Sequence, residues 1–390
     1  MIGLVVLVGG CSRQASIRPD LVLISIDALR ADALDCYGGR RDLGVEACAL
    51  GDEGARYVWA FAAASSGGPA AASLLTSLHP SQHGVRDSAA QFLPQRVATA
   101  AEALVSAGYE TAAFVASPEL NRSRNLQQGF GVYDDGLSSV QSDRLESVGD
   151  RAIAWTDAAR SPWLVWVHFS EPHPPGKGSA PWTPADYEKS IRHLDRRLSQ
   201  LIAVLDARPT PPGVLLVGLH GQRDAEPGSP ASHGRGVDLA EIRVPLLWRP
   251  PRTGTGPMVG RRITTPVSTL DVAPTLLDSA GVALPGAFEG RPLPLADSVG
   301  ESQPARALFA EHPLELAVIV GAEYAAIERT PSDGAADLIR TALLWPPGDR
   351  SSEKLPALDS AIEAARRHAR LRPTLVYFLA RTQAERSNQP

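Results

Sequence analysis

The stretch Leu21-Val22-Leu23-Ile24-Ser25-Ile26 ends abruptly on Asp27, and this apolar run closed by an acid constrains the chain more than any other feature. A continuous apolar run of this length reads as a strand buried on both faces, the habit of parallel sheets covered by helices. An acid just past its carboxyl end sits where open α/β sheets place their ligands. Similar runs return at 111–115, 163–169, 214–218 and 244–248. Between them, Val97, Ala101, Leu104 and Val105 predict a helix within 94–107 with Gly108 as its stop, and a second helix is expected near 144–159. Tyr187, Ile191, Leu194, Leu198, Leu201 and Leu205 recur at helical spacing and predict the core stripe of a long amphipathic helix. With 44% hydrophobic and 21% charged residues among 390, the chain can bury a large core, and one large domain with a smaller one is expected. A net charge of -5 without a long Lys or Arg run gives no nucleic-acid surface.

The first ten residues are apolar but far too few to span a bilayer. The small residues before Cys11 and Ser12 resemble the end of a bacterial lipoprotein signal, although the usual basic n-region is missing. The expectation is a signal-like segment over 1–19, a lipid on Cys11 as the membrane contact, and a periplasmic or outer-membrane-anchored protein. A secreted protein, or a merely apolar N-terminal segment, is the alternative. Cys36 and Cys48 lack metal-type spacing and read as structural thiols.

Several separated phrases occur in a telling order. Asp27 is followed by Leu29-Arg30-Ala31-Asp32 and Cys36-Tyr37-Gly38. Gly67-Gly68-Pro69 leads through Ser73-Leu74-Leu75-Thr76 to His83-Gly84-Val85. Gln128-Gly129-Phe130, Glu171-Pro172-His173, His220-Gly221 and His233-Gly234 follow. In this order they resemble the sulfatase family of the alkaline-phosphatase superfamily, from about Asp20 to Leu293. The resemblance implies an α/β fold with a large, mostly parallel sheet flanked by helices over 20–300. It also implies a smaller, divergent C-terminal subdomain over 301–390, carried by 307–312 and 316–328, with an Arg-rich amphipathic helix over 355–371. Asp134 and Asp135 read as turn formers, and Ser65 and Ser66 as turn or N-cap serines.

The same resemblance assigns roles, and the residues depart from them. Asp27 falls at the first metal-ligand position, but Ala28 stands at its neighbour. Gly67 occupies the nucleophile position, with Ala70, Ala71 and Leu78 where the family carries a serine and basic residues. Glycine offers no side-chain atom to attack sulfur or phosphorus. His173 and His233 fall at sulfate-contacting positions. His220 falls at a metal position, while Leu219 replaces a principal carboxylate. Calcium takes about six to eight oxygens and magnesium near-octahedral oxygen geometry. No cofactor is therefore expected, neither the calcium nor the magnesium that the family uses. A zinc-like cluster of Asp27, His173, His220 and His233 is the alternative.

Three functions follow. The first is a non-catalytic sulfatase-like envelope protein, in which His173, His220 and His233 either hold a sulfated or other anionic small molecule or saccharide at mildly acidic pH or are inert remnants in a collapsed, leucine-filled cleft. The second is an active sulfuric-ester or phosphoric-ester hydrolase with an atypical site. The third is an interaction scaffold with an unrelated partner surface.

Overall fold

The computed structural model describes residues 18–86, 91–136, 144–172, 183–223, 234–252, 259–296, 306–320, 323–328 and 338–343. Strand β1 (Leu21–Ile26) lies inside an eight-stranded sheet. Leu21 and Leu23 enter one hydrophobic core while Val22, Ile24 and Ile26 enter another. Neither face meets water, so the run needs no polar alternation.

The chain continues through α1 (Val45–Asp52), β2 (Ala55–Tyr57), β3 (Ala60–Phe61), α2 (Gly67–Thr76), α3 (Pro80–His83) and α4 (Ala100–Ser106). It then forms β4 (Glu110–Val115), β5 (Val132–Asp134), α5 (Arg144–Ala158), β6 (Trp163–Phe169), α6 (Pro184–Asp206) and β7 (Gly213–Gly218). Next come α7 (Leu239–Ile242), β8 (Arg243–Val244), β9 (Leu246–Arg249), β10 (Arg261–Ile263), β11 (Val267–Ser268) and α8 (Val272–Ser279). The large sheet has the order β10-β2-β9-β7-β1-β6-β4-β5, with β7, β1, β6, β4 and β5 parallel. Strand β9 runs antiparallel to both β7 and β2. Helices α2, α4 and α8 cover one face, and α1, α5 and α6 the other. The architecture is the α/β arrangement expected from the sequence.

β12 (Ala307–Glu311), β13 (Glu315–Val320), β14 (Glu323–Glu328) and β15 (Leu338–Leu343) form a separate antiparallel sheet. It docks on the main body where Glu311 N donates to Ala63 O at 2.8 Å. The helix expected over 355–371 lies outside the described residues, as does Cys11. No helix among the described residues is long and apolar enough to cross a membrane.

Local chemistry sets the boundaries. The helix expected within 94–107 begins only at Ala100, because Thr99 and Glu102 close a capping box there. The long stripe is α6, which Thr183 and Asp186 cap in the same way, with Pro184 in its first turn. Cys36 and Cys48 differ from expectation: they form a disulfide, with Cα atoms 5.7 Å apart. Gly44, in a left-handed conformation, turns the chain so that α1 brings Cys48 back to the segment after β1.

Candidate functional site

The carboxyl ends of β1, β4, β6 and β7 converge on one spot, and the N-terminus of α2 faces it. Asp27 extends β1 and is 4% exposed. His168, inside β6, approaches Asp27 Oδ2 through Nε2 at 3.3 Å. His220, just after β7, approaches Oδ1 through Nε2 at 3.5 Å, a charge contact longer than a good hydrogen bond. Asp27 Oδ1 accordingly has no hydrogen bond among the described residues.

A polar chain behind Asp27 fixes the ring of His168. Trp166 Nε1 can only donate, and does so to Ser25 Oγ at 2.7 Å. Ser25 Oγ in turn donates to His168 Nδ1 at 2.9 Å, an arrangement that places a ring proton on Nε2, facing Asp27. His220 differs, because its Nδ1 faces the Gly221 carbonyl at 2.7 Å and must donate there. With Nε2 facing a carboxylate as well, the ring suits the imidazolium form. Burial opposes that charge, but Asp27, the Gly221 carbonyl and Glu119 outweigh it and raise the pKa of His220 above its ordinary value. Burial likewise opposes the Asp27 carboxylate, yet His168 and His220 hold its pKa well below the usual range. Asp27 and His220 are therefore a buried ion pair.

The turn after Asp27 keeps an unusual backbone. Ala28 has φ of 52°, a left-handed conformation that costs a non-glycine residue about 1–3 kcal/mol. Tyr187 of α6 clamps it, donating from its hydroxyl to Ala28 O at 2.8 Å and accepting from Arg30 N at 3.0 Å. Leu219 is 1% exposed and belongs to the core beneath α2. Ala70, Ala71 and Leu78 join the same core, so these positions present no polar group to the site.

At the opposite wall Gly67 opens α2. A Cβ built there would stand 2.6 Å from Glu119 Oε2 and 3.5 Å from Asp27 Oδ1. The Glu119 carboxylate, from the turn Pro118–Leu120 after β4, thus stands where a side chain at 67 would begin. Ser66 is the N-cap residue of α2, as its sequence position suggested, but its hydroxyl makes no capping bond.

The donor set does not fit a hard divalent cation. Of the positions that the resemblance assigns to metal ligands at Asp27, Ala28 and Leu219, Asp27 alone carries a carboxylate. No group of three or more His, Cys, Asp or Glu among the described residues is arranged to hold a metal ion. Of the four residues in the zinc-like alternative, the structure brings together Asp27 and His220, while His173 and His233 lie outside the described residues.

Ser73 and His83, buried together under α2, do not make a nucleophile–base pair. His83 Nδ1 accepts from Val85 N at 3.1 Å, so Nε2 carries the proton and donates to Ser73 Oγ at 2.9 Å. A ring in that tautomer cannot take a proton from the serine. Burial lowers its pKa to about 3 and keeps it neutral.

Sequence reasoning missed His168 and Glu119. His168 sits within an apolar strand, 163–169, that reads as core throughout. The overlooked signal was a histidine and a serine, each the polar exception in its own buried strand, since buried polar groups require partners. Glu119 carries no comparable signal, because only the topology brings the end of β4 to the start of α2.

The family model for sulfatases matches residues 19–282. No curated protein matches the chain. Among solved structures, the phosphonate monoester hydrolase of Agrobacterium radiobacter is 16% identical with a TM-score of 0.72, covering 94% of this chain and 96% of its own. BT4656, solved in complex with its substrate D-glucosamine-2-N,6-O-disulfate, is 15% identical with a TM-score of 0.68 over 96% of this chain and 99% of its own. Ps i-CgsB, in complex with k-i-k-neocarrahexaose, is 15% identical with a TM-score of 0.67 and 92% coverage of both chains. At these identities the structures speak for the fold, while the family model spans well over half of the sequence. The chain belongs to the sulfatase family of the alkaline-phosphatase superfamily.

Proposed function

We propose that this protein is a sulfatase-fold protein of the cell envelope that has given up ester hydrolysis by the family's nucleophilic route and binds a sulfated or otherwise anionic saccharide. One observation carries the loss of catalysis: the nucleophile position is Gly67, and the Glu119 carboxylate stands 2.6 Å from where its side chain would start. No hydroxyl, thiol or aldehyde is offered there, and two carboxylates near that point oppose the approach of an ester anion. The absence of a bound calcium or magnesium is part of this reading and is supported by Ala28 and Leu219.

Saccharide binding is supported by the company the fold keeps, since BT4656 and Ps i-CgsB were each solved with a saccharide. The envelope location is supported by the Cys36–Cys48 disulfide, a bond that persists in oxidising compartments. Lipidation at Cys11 is part of the same proposal.

Metal analysis of the purified protein, coupled to a screen of aryl sulfates and aryl phosphates, tests the catalytic half. The expected result is no stoichiometric calcium or magnesium and no turnover. Turnover that disappears in Asp27→Ala would overturn it. Loss in Glu119→Gln as well would favour the atypical hydrolase, with Glu119 as its carboxylate.

A further inference from the structure

Residues 234–242, which lead into β8, form a strap between the turn that carries His220 and the C-terminal sheet. Its inner end is closely fitted. Gly221 N donates to Glu241 O at 2.7 Å, and a Cβ on Gly221 would collide with Ala240 O, so the approach requires glycine. The Glu241 side chain is fully buried and is met on both oxygens: Oε1 accepts from Arg235 N at 3.0 Å and Oε2 from Arg223 Nε at 3.1 Å. Arg223 pairs with Asp238 as well, which ties the chain just after His220 to the strap a second time.

The outer end is held by the C-terminal sheet. Glu315 Oε2, from β13, accepts from Val237 N at 2.9 Å, and the Tyr324 hydroxyl, from β14, donates to Val237 O at 2.6 Å. Both backbone groups of Val237 are thus satisfied by side chains of that sheet, as a buried segment outside helix and strand requires. His312 Nδ1 accepts from Leu314 N, so Nε2 carries the proton of the neutral ring and donates to Gly234 O at 3.0 Å. Val237 and Ile242 also share one apolar core with Leu308, Ala317 and Ile319.

At the inner end the path reaches the site, because His220 Nδ1 donates to the Gly221 carbonyl at 2.7 Å. We propose that the C-terminal sheet positions His220 against Asp27 through this strap, with Glu315 and Tyr324 as its remote positioning residues. The sheet is then part of the frame of the site, and a partner that shifts the sheet also moves His220. The inference goes beyond the proposed function and does not depend on what the site binds.

Glu315→Gln, Tyr324→Phe and their combination test it by NMR in the full-length protein, isotope-labelled at glycine and histidine. Amide hydrogen exchange is read at Gly221, with Gly213 as the control, because Gly213 N donates to Asp20 O at 3.0 Å at the far end of β7. In the double variant Gly221 is expected to exchange about tenfold faster or more, the scale of a lost hydrogen bond to a charged group, while Gly213 keeps its rate. The ring signals of His220 should shift in the same variant. Each single substitution should give a smaller change in both readouts, and Tyr324→Phe, which deletes one hydroxyl, carries the comparison if the double variant does not fold. An unchanged rate at Gly221 overturns the proposal. So does equal acceleration at Gly213, which signals a general loss of stability, and so does faster exchange at Gly221 with the His220 signals unmoved.

Discussion

The two walls of the site are built in opposite ways. On the Asp27 side the structure is tight: Trp166, Ser25 and His168 brace one carboxylate oxygen, His220 faces the other, and Tyr187 clamps Ala28 in a left-handed turn. On the Gly67 side the nearest neighbour of the missing side chain is the far end of a flexible glutamate. The comparison teaches that one wall of a site can be braced rigidly while the wall facing it keeps slack. Ala28 and Leu219 offer no side-chain oxygen, while the backbone clamp and the polar bracing hold Asp27 in place. At Gly67 the end of the Glu119 side chain fills the space and is adaptable.

The sharpest way to break this contrast is Asp27→Ala. It leaves the His220 imidazolium buried without a counter-charge, a change worth about 3–5 kcal/mol of stability, read by denaturant unfolding at neutral pH. A loss below about 1 kcal/mol would mean that the Asp27 wall is as loose as the other.

Helix α2 itself should be rigid behind its adaptable mouth, and pH tests this through His83. Its pKa is depressed to about 3 in the folded protein, against an ordinary value of 6.5. Well above pH 6.5 the ring is neutral in both states and contributes no pH dependence. As pH falls below that value the unfolded chain takes up the proton first, so stability declines until the folded ring also protonates. At pH 5 this amounts to about 2 kcal/mol relative to pH 7. A His83→Gln variant should lose that share of the acid sensitivity, measured by urea unfolding at both pH values.

Tyr187→Phe sharpens the comparison from the other direction. It strands Ala28 O and Arg30 N, at a cost of about 1–3 kcal/mol on chemical denaturation. An unchanged midpoint would show that the left-handed turn holds without its clamp.

The smallest effect is expected at Gly67→Ala, about 1 kcal/mol or less, because only the end of the Glu119 side chain must move. Combining it with Glu119→Ala should remove even that cost. A loss of 2 kcal/mol or more in the single variant would show that Glu119 is fixed rather than adaptable.

Much of the fold was legible because the strands at 21–26, 163–169 and 214–218 are apolar throughout, and the helices between them keep a stripe. The Asp27 position was legible for the same reason, as the acid that ends such a run. His168 was not, because a single polar residue in a buried strand gains its meaning only from the strand beside it. Glu119 depends on a loop conformation that no local spacing encodes. The Cys36–Cys48 pair depends on the turn at Gly44, and the early start expected for α4 gave way to the capping box at Thr99.

The Ser25–His168 hydrogen bond has a consequence beyond the site. Ser25 and His168 lie directly opposite each other on β1 and β6, in strands otherwise made of interchangeable apolar side chains. Greasy contacts alone would tolerate β6 sliding along β1, since one branched residue packs nearly as well as the next. A slip of one residue would turn the imidazole toward the other core, and a slip of two would part it from its hydroxyl, in either case stranding a polar ring in a dry interior. The pair therefore acts as an alignment mark, rejecting mispaired strands while the sheet assembles.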